Sequence, residues 1–122
     1  MQRSCLVVDD SRVVRKVARR ILESCGFAVT EAADGQQALD ECRAHLPDCV
    51  LLDWNMPVMD GLTFLQTLRK EFGPEKPPVV FCTTENDMSH IEAAITHGAQ
   101  EYIMKPFDAE ILTGKFAQVG LL

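Results

Sequence analysis

Two patterns of apolar and polar positions alternate along the chain. Apolar runs of strand length, bounded by polar residues, recur at Cys5 to Val8, Ala28 to Glu31, Cys49 to Leu52, Val79 to Cys82 and Glu101 to Met104. Between these runs, apolar residues return at every third or fourth position, which is the spacing of one helix face. In the first such segment they are Val14, Val17, Ala18, Ile21, Leu22 and Cys25. The pattern predicts five strands and five helices in strict alternation.

Local signals support these boundaries. Ser11, Asp34 and Asp108 are expected to cap the first, second and fifth helices. Gly26 and Gly98 are expected to end the first and fourth helices. Alternation with continuously apolar strands is typical of an α/β fold, a doubly wound parallel sheet of five strands with helices on both faces. A closed eight-fold barrel is excluded, since it needs about 250 residues.

The composition is that of an acidic, folded protein. Hydrophobic residues make up 47% of the 122 positions, which argues against a disordered chain. The net charge of -6 argues against non-specific binding of nucleic acid. No apolar run approaches the ~20 residues that cross a bilayer, so we expect no membrane insertion and a cytoplasmic location.

The first predicted helix departs from this acidic balance. Its basic residues fall at i, i+3, i+4, i+7 and i+8 and form one stripe, made of Arg12, Arg15, Lys16, Arg19 and Arg20. The stripe is expected to lie opposite the valine positions of the helix. Two interpretations stay open: a solvated helix face, or a docking surface for an acidic kinase or phosphotransfer domain.

The cysteines and histidines indicate no metal centre. Five cysteines without a C-x-x-C pair favour neither a zinc site nor a disulfide framework. Those in strand-like runs are expected to be buried, whereas Cys25 and Cys42 are expected to be partly exposed on helices. The three histidines lie in or near helices and are expected to be solvated or to pack, namely His45, His90 and His97.

Chemistry is expected where the strands end. In an open α/β sheet, functional groups gather beyond the carboxyl ends of the strands. Asp9 and Asp10 follow the first strand, Asp53 the third, Thr83 the fourth and Lys105 the fifth. Three carboxylates at one edge repel one another and need cations. Lys105 supplies one, and an all-oxygen ligand set favours Mg²⁺ as the second.

A carboxylate beside Mg²⁺ and a lysine has the surroundings of a nucleophile on phosphorus, because both cations stabilise a transferring phosphoryl group. Asp53 is the central candidate. The Thr83 hydroxyl and backbone N–H groups after Asp53 are expected to donate hydrogen bonds to the added phosphoryl oxygens.

The motifs at these positions carry a family resemblance over essentially the whole chain. They are Val7-Val8-Asp9-Asp10, Asp53-Trp54-Asn55-Met56-Pro57 with Met59-Asp60-Gly61, Thr83, and Tyr102 three residues before Lys105-Pro106. In this order they resemble the receiver domain of two-component response regulators, and most of all the single-domain chemotaxis regulators of the CheY type. The resemblance implies a flavodoxin-like fold and one receiver domain over residues 1–122 without an output domain.

The resemblance also implies roles for individual residues. Asp53 would be the phosphoacceptor, Asp10 a direct Mg²⁺ ligand, Asp9 a ligand through water and Asn55 a ligand through its backbone carbonyl. Lys105 would pair with Asp53 or its phosphoryl group. Trp54, by strand alternation, is expected to point to the face opposite Asp53 or into the loop.

Further roles concern switching and the lifetime of the phosphorylated state. Thr83 would bond the phosphoryl group, and Tyr102 would change rotamer in the switch. The Lys105–Pro106 bond is expected to be cis. Asn55 and Glu85 would influence self-hydrolysis by leaving a path for water, and Thr84 is bulkier than the residue common at its position.

The function implied is a phosphorylation-controlled binding module, not an enzyme with a substrate. A histidine kinase or histidine phosphotransfer domain would donate to Asp53, and a downstream protein would bind the fourth helix, fifth strand and fifth helix, roughly 88–119. The alternative is a phosphorelay intermediate or phosphate sink. An aspartyl-phosphate phosphatase is disfavoured, because its acid would stand at the position of Asn55. A flavodoxin-like cofactor carrier is disfavoured too, because the Asp9-Asp10 pair would repel phosphate.

Overall fold

The computed structural model describes residues 2–84 and 88–122 and contains strands and helices in the predicted order. The strands are β1 Ser4–Val8, β2 Ala28–Ala32, β3 Cys49–Asp53, β4 Val79–Thr83 and β5 Glu101–Met104. The helices are α1 Arg12–Ser24, α2 Gly35–Ala44, α3 Gly61–Phe72, α4 Met88–Thr96 and α5 Ala109–Gln118. Asp53 and Thr83 are the last residues of β3 and β4. Each strand is therefore one residue longer than the apolar pattern predicts.

All five strands pair in parallel in one sheet with the order β2-β1-β3-β4-β5. The strand order reverses between β1 and β3, which places a crevice beyond the carboxyl ends of these two strands. Asp9 directly follows β1 and Asp53 ends β3, so the two acidic positions flank that crevice. The ladder extends to Asp53, which pairs with Cys82, and to Thr83, which pairs with Met104.

The sheet separates two apolar cores. One lies under α2, α3 and α4 and includes Leu52, Phe64 and Phe81. The other lies under α1 and α5 and includes Leu22 and Phe116. Helices therefore cover both faces, as the continuous apolar strands predict. In the part of the chain that the structure describes, no helix has the length and apolar character to cross a membrane.

The predicted helix caps are confirmed. The side chains of Ser11, Asp34 and Asp108 accept hydrogen bonds from backbone N–H groups three residues further on. Asp60 caps α3 in the same way, through the N–H of Thr63, and this cap was not among the predicted ones. Gly26 and Gly98 follow α1 and α4 with positive φ angles of 93° and 106°.

One prediction about the cysteines is wrong. All five are free thiols, and Cys25 is half-buried as expected. Cys42, however, is buried in the core under α2, because its position on the helix faces the sheet. Burial raises the pKa of Cys42 to about 12, so its thiol stays protonated and unreactive.

Candidate functional site

Asp9 is the buried anchor of the site. It is 2% exposed, and its Oδ1 accepts a hydrogen bond of 2.8 Å from the backbone N–H of Ser11. Its Oδ2 lies 2.6 Å from Nζ of Lys105. The backbone carbonyl of Asp9 also accepts a 2.7 Å hydrogen bond from Nη1 of Arg15. The Asp9 carboxylate is therefore held from two sides, by the start of α1 and by the residue after β5.

Asp53 faces Asp9 across the crevice. It is 6% exposed, and Lys105 Nζ lies 3.0 Å from its Oδ1. The same oxygen accepts a 2.9 Å hydrogen bond from the backbone N–H of Trp54. Lys105 Nζ and the Trp54 N–H therefore both donate to the same carboxylate oxygen of Asp53.

Lys105 joins the two carboxylates. Its backbone N–H donates a 2.8 Å hydrogen bond to the carbonyl of Thr83, which fixes the start of the loop after β5. The Lys105–Pro106 peptide bond is cis, as the resemblance implies. Burial alone would lower the pKa of Lys105, but hydrogen bonds and charge attraction from Asp9 and Asp53 raise it above its usual value. The lysine is therefore a permanent cation in the site.

The Asp53 carboxylate is poorly stabilised as an anion by the protein alone. Burial raises the pKa of Asp53 to about 6, and repulsion from Asp9 and Asp10 acts in the same direction. Lys105 opposes the rise without cancelling it. A divalent cation bound here would therefore stabilise the ionised form of Asp53.

The acidic cluster fits a hard divalent ion. One carboxylate oxygen each from Asp9, Asp10 and Asp53 lies within 4.8 Å of the others, and Asp10 is exposed to solvent. All three donors are oxygen, which suits Mg²⁺ better than a softer metal. With Lys105 included, the four side chains have a formal charge that a divalent cation would neutralise.

Two glycines let the neighbouring loop approach the site. A side chain at Gly61 would overlap the carbonyl oxygen of Asp53 and the ring of Phe81. The N–H of Gly61 donates a 2.9 Å hydrogen bond to the carbonyl of Trp54. Gly35 packs as tightly on the backbone of Met59, whose carbonyl accepts a 3.0 Å hydrogen bond from its N–H. Close contacts with neighbouring residues thus require glycine at positions 35 and 61.

The remaining predicted residues lie around this centre. Thr83 is 3% exposed at the end of β4, and Thr84 is exposed. Asn55 is exposed two residues beyond Asp53. Tyr102 packs on the core under α4, with Nζ of Lys115 4.9 Å above its ring. Glu85, predicted to influence hydrolysis, lies outside the described residues.

Most basic residues of the α1 stripe form ion pairs within the protein. Neither interpretation of the sequence predicted this. Glu31 of β2 lies 3.0 Å from Arg15, 3.8 Å from Lys16 and 2.6 Å from Arg19. Partial burial alone would raise the pKa of Glu31, yet these three cations hold it below its usual range. The stripe therefore binds α1 to β2, and its exposed ends, Arg12 and Arg20, lie outside this cluster around Glu31.

Two valines of α1 are exposed to solvent. Val13 is 72% exposed and Val17 is 43% exposed. With neighbouring residues they line an apolar groove of about 340 Å³ between α1 and the loop after β5, formed by Val13, Val14, Val17, Thr84, Lys105, Pro106 and Phe107. Its lysine is the one that contacts Asp53, so the groove opens beside the acidic site.

Comparison with known proteins identifies the family. The family model of the response regulator receiver domain matches residues 5–117. The chain is 34% identical over 118 residues to the transcriptional regulatory protein CseB of Streptomyces coelicolor, an alignment that covers 97% of this chain and 49% of CseB. This chain belongs to the response regulator receiver family, and it spans about half the length of the curated relatives that it matches.

Solved structures support the same assignment. The chemotaxis protein CheY4 of Vibrio cholerae has a TM-score of 0.88 at 31% identity, covering 98% of this chain and 99% of that chain. A CheX–CheY–BeF3–Mg complex from Borrelia burgdorferi gives 0.87 at 29% identity, covering 95% and 87%. The fold is therefore the flavodoxin-like fold of CheY, as predicted.

Sequence reasoning missed three contacts of the site. The pairing of Lys105 with Asp9 joins residues that are far apart in sequence, the Arg15 bond to the Asp9 carbonyl joins residues six positions apart, and the Trp54 N–H bond to Asp53 joins consecutive residues. The position of Arg15 one turn into α1 was the only available signal, because it brings the guanidinium back toward the end of β1.

Proposed function

We propose that Asp53 accepts a phosphoryl group from a phosphohistidine of a histidine kinase or histidine phosphotransfer domain, and that this modification changes the affinity of the protein for a downstream partner. The observation that carries the proposal is the buried Asp53 carboxylate, with Lys105 3.0 Å from Oδ1 and two further carboxylates beside it. Family membership supports the same role.

The transfer balances as a simple substitution at phosphorus. A carboxylate oxygen of Asp53 attacks the phosphorus atom, the new O–P bond forms and the P–N bond of the phosphohistidine breaks. The leaving imidazole keeps the electron pair of that bond and takes a proton from solvent. Lys105, held between Asp9 and Asp53, stabilises the charge on the equatorial oxygens during transfer.

Mg²⁺ would be held by Asp9, Asp10 and Asp53, with the backbone carbonyl of Asn55 as the further ligand that the family resemblance implies. When bound, the ion supplies positive charge that offsets the negative charge of the transferred group. A solved neighbour in complex with BeF3 and Mg supports this choice.

Metal binding is testable through Trp54, the only tryptophan of the chain, whose backbone contacts Asp53. We expect Mg²⁺ to change its emission with saturation, and Asp10→Ala to weaken that response. Asp60→Asn is the matched control, because this exposed acid caps α3 and asparagine caps equally well. An identical response from wild type and Asp10→Ala would contradict the magnesium site.

The groove between α1 and the loop after β5 is the docking surface that we propose for the phosphodonor protein. It is apolar and opens beside Lys105, whereas most cations of the helix are engaged by Glu31. A donor must bring its phosphohistidine to Asp53, and a groove at the rim of the site would position it.

Two exposed apolar residues of similar exposure separate donor docking from target binding. Val17 in the groove is 43% exposed, and Ile111 on α5 is 45% exposed. We expect Val17→Asp to slow phosphoryl transfer from a protein donor but not from acetyl phosphate, which needs no docking. We expect Ile111→Asp to leave both transfers unchanged and to weaken target binding. Equal slowing with both donors in Val17→Asp would contradict docking at the groove.

The downstream partner is proposed to bind the face formed by α4, β5 and α5, and the similarity to CheY4 supports a role in chemotaxis or related signalling. A phosphorelay intermediate or phosphate sink would instead return the phosphoryl group to a histidine phosphotransfer domain. Incubating the phosphorylated protein with such a domain decides between them: label on the added domain supports the relay, and label released only as inorganic phosphate supports the switch.

A further inference from the structure

The indole of Trp54 connects the acceptor site to α4. Its ring contacts Phe81 at 5.0 Å between centroids and the imidazole of His90 at 4.6 Å, with an angle of 26° between the latter two planes. Its backbone N–H donates to Oδ1 of Asp53 at 2.9 Å. One residue therefore contacts the acceptor carboxylate through its main chain and α4 through its side chain.

His90 occupies the first turn of α4 and is incompletely satisfied there. Its Nδ1 is buried and has no hydrogen-bond partner among the described residues. A buried polar atom without a partner opposes the arrangement that buries it. Stacking on Trp54 favours the buried position of the His90 ring. The unpartnered Nδ1 favours a position in which it is hydrated.

We propose that His90 is a positioning residue that couples α4 to the phosphoacceptor. The stack on Trp54 holds the first turn of α4 in the unphosphorylated arrangement, and the unpartnered Nδ1 keeps that contact weak enough to release. This inference rests on the proposed function, because the event that breaks the contact is a new charge on Asp53.

The coupling follows from the hydrogen bond between Trp54 and Asp53. A phosphoryl group on Asp53 adds charge and oxygen acceptors next to Oδ1, so the Trp54 N–H bond must adjust. A shift of the Trp54 backbone moves the indole, and His90 then loses its stacking surface. Phosphorylation of Asp53 can shift α4 only if the resting and phosphorylated arrangements differ in free energy. Here that difference comes from the Trp54 N–H bond and the stack on His90.

A purely structural role for His90 leads to a different expectation. If the stack were present equally in both arrangements, substitutions would change the stability of the fold and leave affinity for a phosphoryl mimic unchanged. Two substitutions separate the ring from its nitrogen. His90→Ala removes the stack, and His90→Phe keeps a flat ring but removes the unpartnered atom.

The test measures the midpoint for beryllofluoride in saturating Mg²⁺ through Trp54 emission, with urea unfolding as a second readout. We expect His90→Ala to bind the mimic about threefold more tightly than wild type, because the resting arrangement is weakened. We expect His90→Phe to bind about threefold more weakly, because the buried ring no longer carries an unsatisfied nitrogen. His97→Ala is the control, since this imidazole lies just beyond the other end of α4 and contacts Gln66 at 3.5 Å.

Opposite shifts in His90→Ala and His90→Phe support the coupling. Unchanged midpoints in both variants overturn it, whatever their stabilities, while the proposed function stands if wild type binds. A wild type that shows no saturable response to beryllofluoride contradicts the proposed function and the coupling together.

Discussion

Lys105 lies closer to Asp9 than to the proposed acceptor, with Nζ 2.6 Å from Oδ2 of Asp9 and 3.0 Å from Oδ1 of Asp53. Its charge is therefore shared by two buried carboxylates before any phosphoryl group arrives. A lysine shared in this way has a second position available, since a phosphoryl group on Asp53 offers it a stronger partner than a carboxylate.

Lys105→Met removes this shared cation. We expect the variant to bind Mg²⁺ severalfold more tightly, because no lysine then competes with the ion for Asp9 and Asp53. The phosphoryl group is still expected to reach Asp53, but target affinity should change less on phosphorylation, since the group that responds to the new charge is gone. Mg²⁺ titration and target binding with and without beryllofluoride measure both effects. Weaker Mg²⁺ binding would show that Lys105 has another role.

The raised pKa of Asp53 predicts how stability depends on pH. Its pKa of about 6 lies above the ordinary 3.8, so between these values the folded protein holds a proton that the unfolded chain has released. Metal-free protein therefore loses stability as pH rises through this window. We expect Asp53→Asn to be more stable than wild type by about 1–3 kcal/mol at about pH 7.5, and equal to it at about pH 4.

Urea unfolding in the presence of a chelator measures this difference. Asp60→Asn controls for the loss of one acid on an exposed surface, and we expect it to show no such pH-dependent gain. Added Mg²⁺ should reverse the order at about pH 7.5 by stabilising wild type more than Asp53→Asn. A gain in Asp53→Asn that is the same at both pH values would contradict the raised pKa.

Two glycines predict opposite outcomes for the same substitution. Gly114 lies within α5, and a β-carbon at this position would meet nothing within 4 Å, so Gly114→Ala should stabilise the fold by about 0.5–1 kcal/mol. Gly61→Ala would overlap the backbone of Asp53 and should destabilise the fold and impair phosphorylation. Thermal unfolding with an acetyl phosphate assay checks both. A destabilised Gly114→Ala would show that this glycine has a structural role.

The acyl phosphate is predicted to be short-lived. Asn55 is polar and exposed beside Asp53, so it leaves a path for water. We expect Asn55→Met to retain radiolabel several times longer than wild type, since a misplaced water reacts slowly. Thr84→Ala tests crowding at the rim of the site, and we expect it to lose label faster than wild type. We expect Glu85→Leu, like Asn55→Met, to lose label more slowly. Faster loss from Asn55→Met would contradict this explanation of lifetime control.

The fold was predictable because its signals are local. Apolar strands, caps such as Ser11 and Asp108, and the glycine turn that follows α1 at Gly26 each depend on residues close in sequence. The polar ends of the strands were also predictable, because parallel strands bring their carboxyl ends to one edge. This rule places Asp9, Asp53 and Lys105 together.

What the sequence could not reveal are contacts between distant elements. Nothing in the spacing of α1 shows that Glu31 lies beside its cations, so the basic stripe suggested a free surface. The burial of Cys42 depends on the rotation of α2 on the sheet. The stack of His90 on Trp54 joins α4 to the loop after β3, two segments far apart in the chain, and no periodicity reports it.

The most direct test of the central claim is the site of phosphorylation. Wild type, Asp53→Asn and the control Asp60→Asn are incubated with labelled donor and Mg²⁺, and acid-labile phosphate is located by peptide mass spectrometry after borohydride reduction. We predict one modified residue, Asp53, in wild type and in Asp60→Asn, and no incorporation in Asp53→Asn. Full incorporation into Asp53→Asn, or a wild type modified at another residue, would contradict the assignment of Asp53 as the phosphoacceptor.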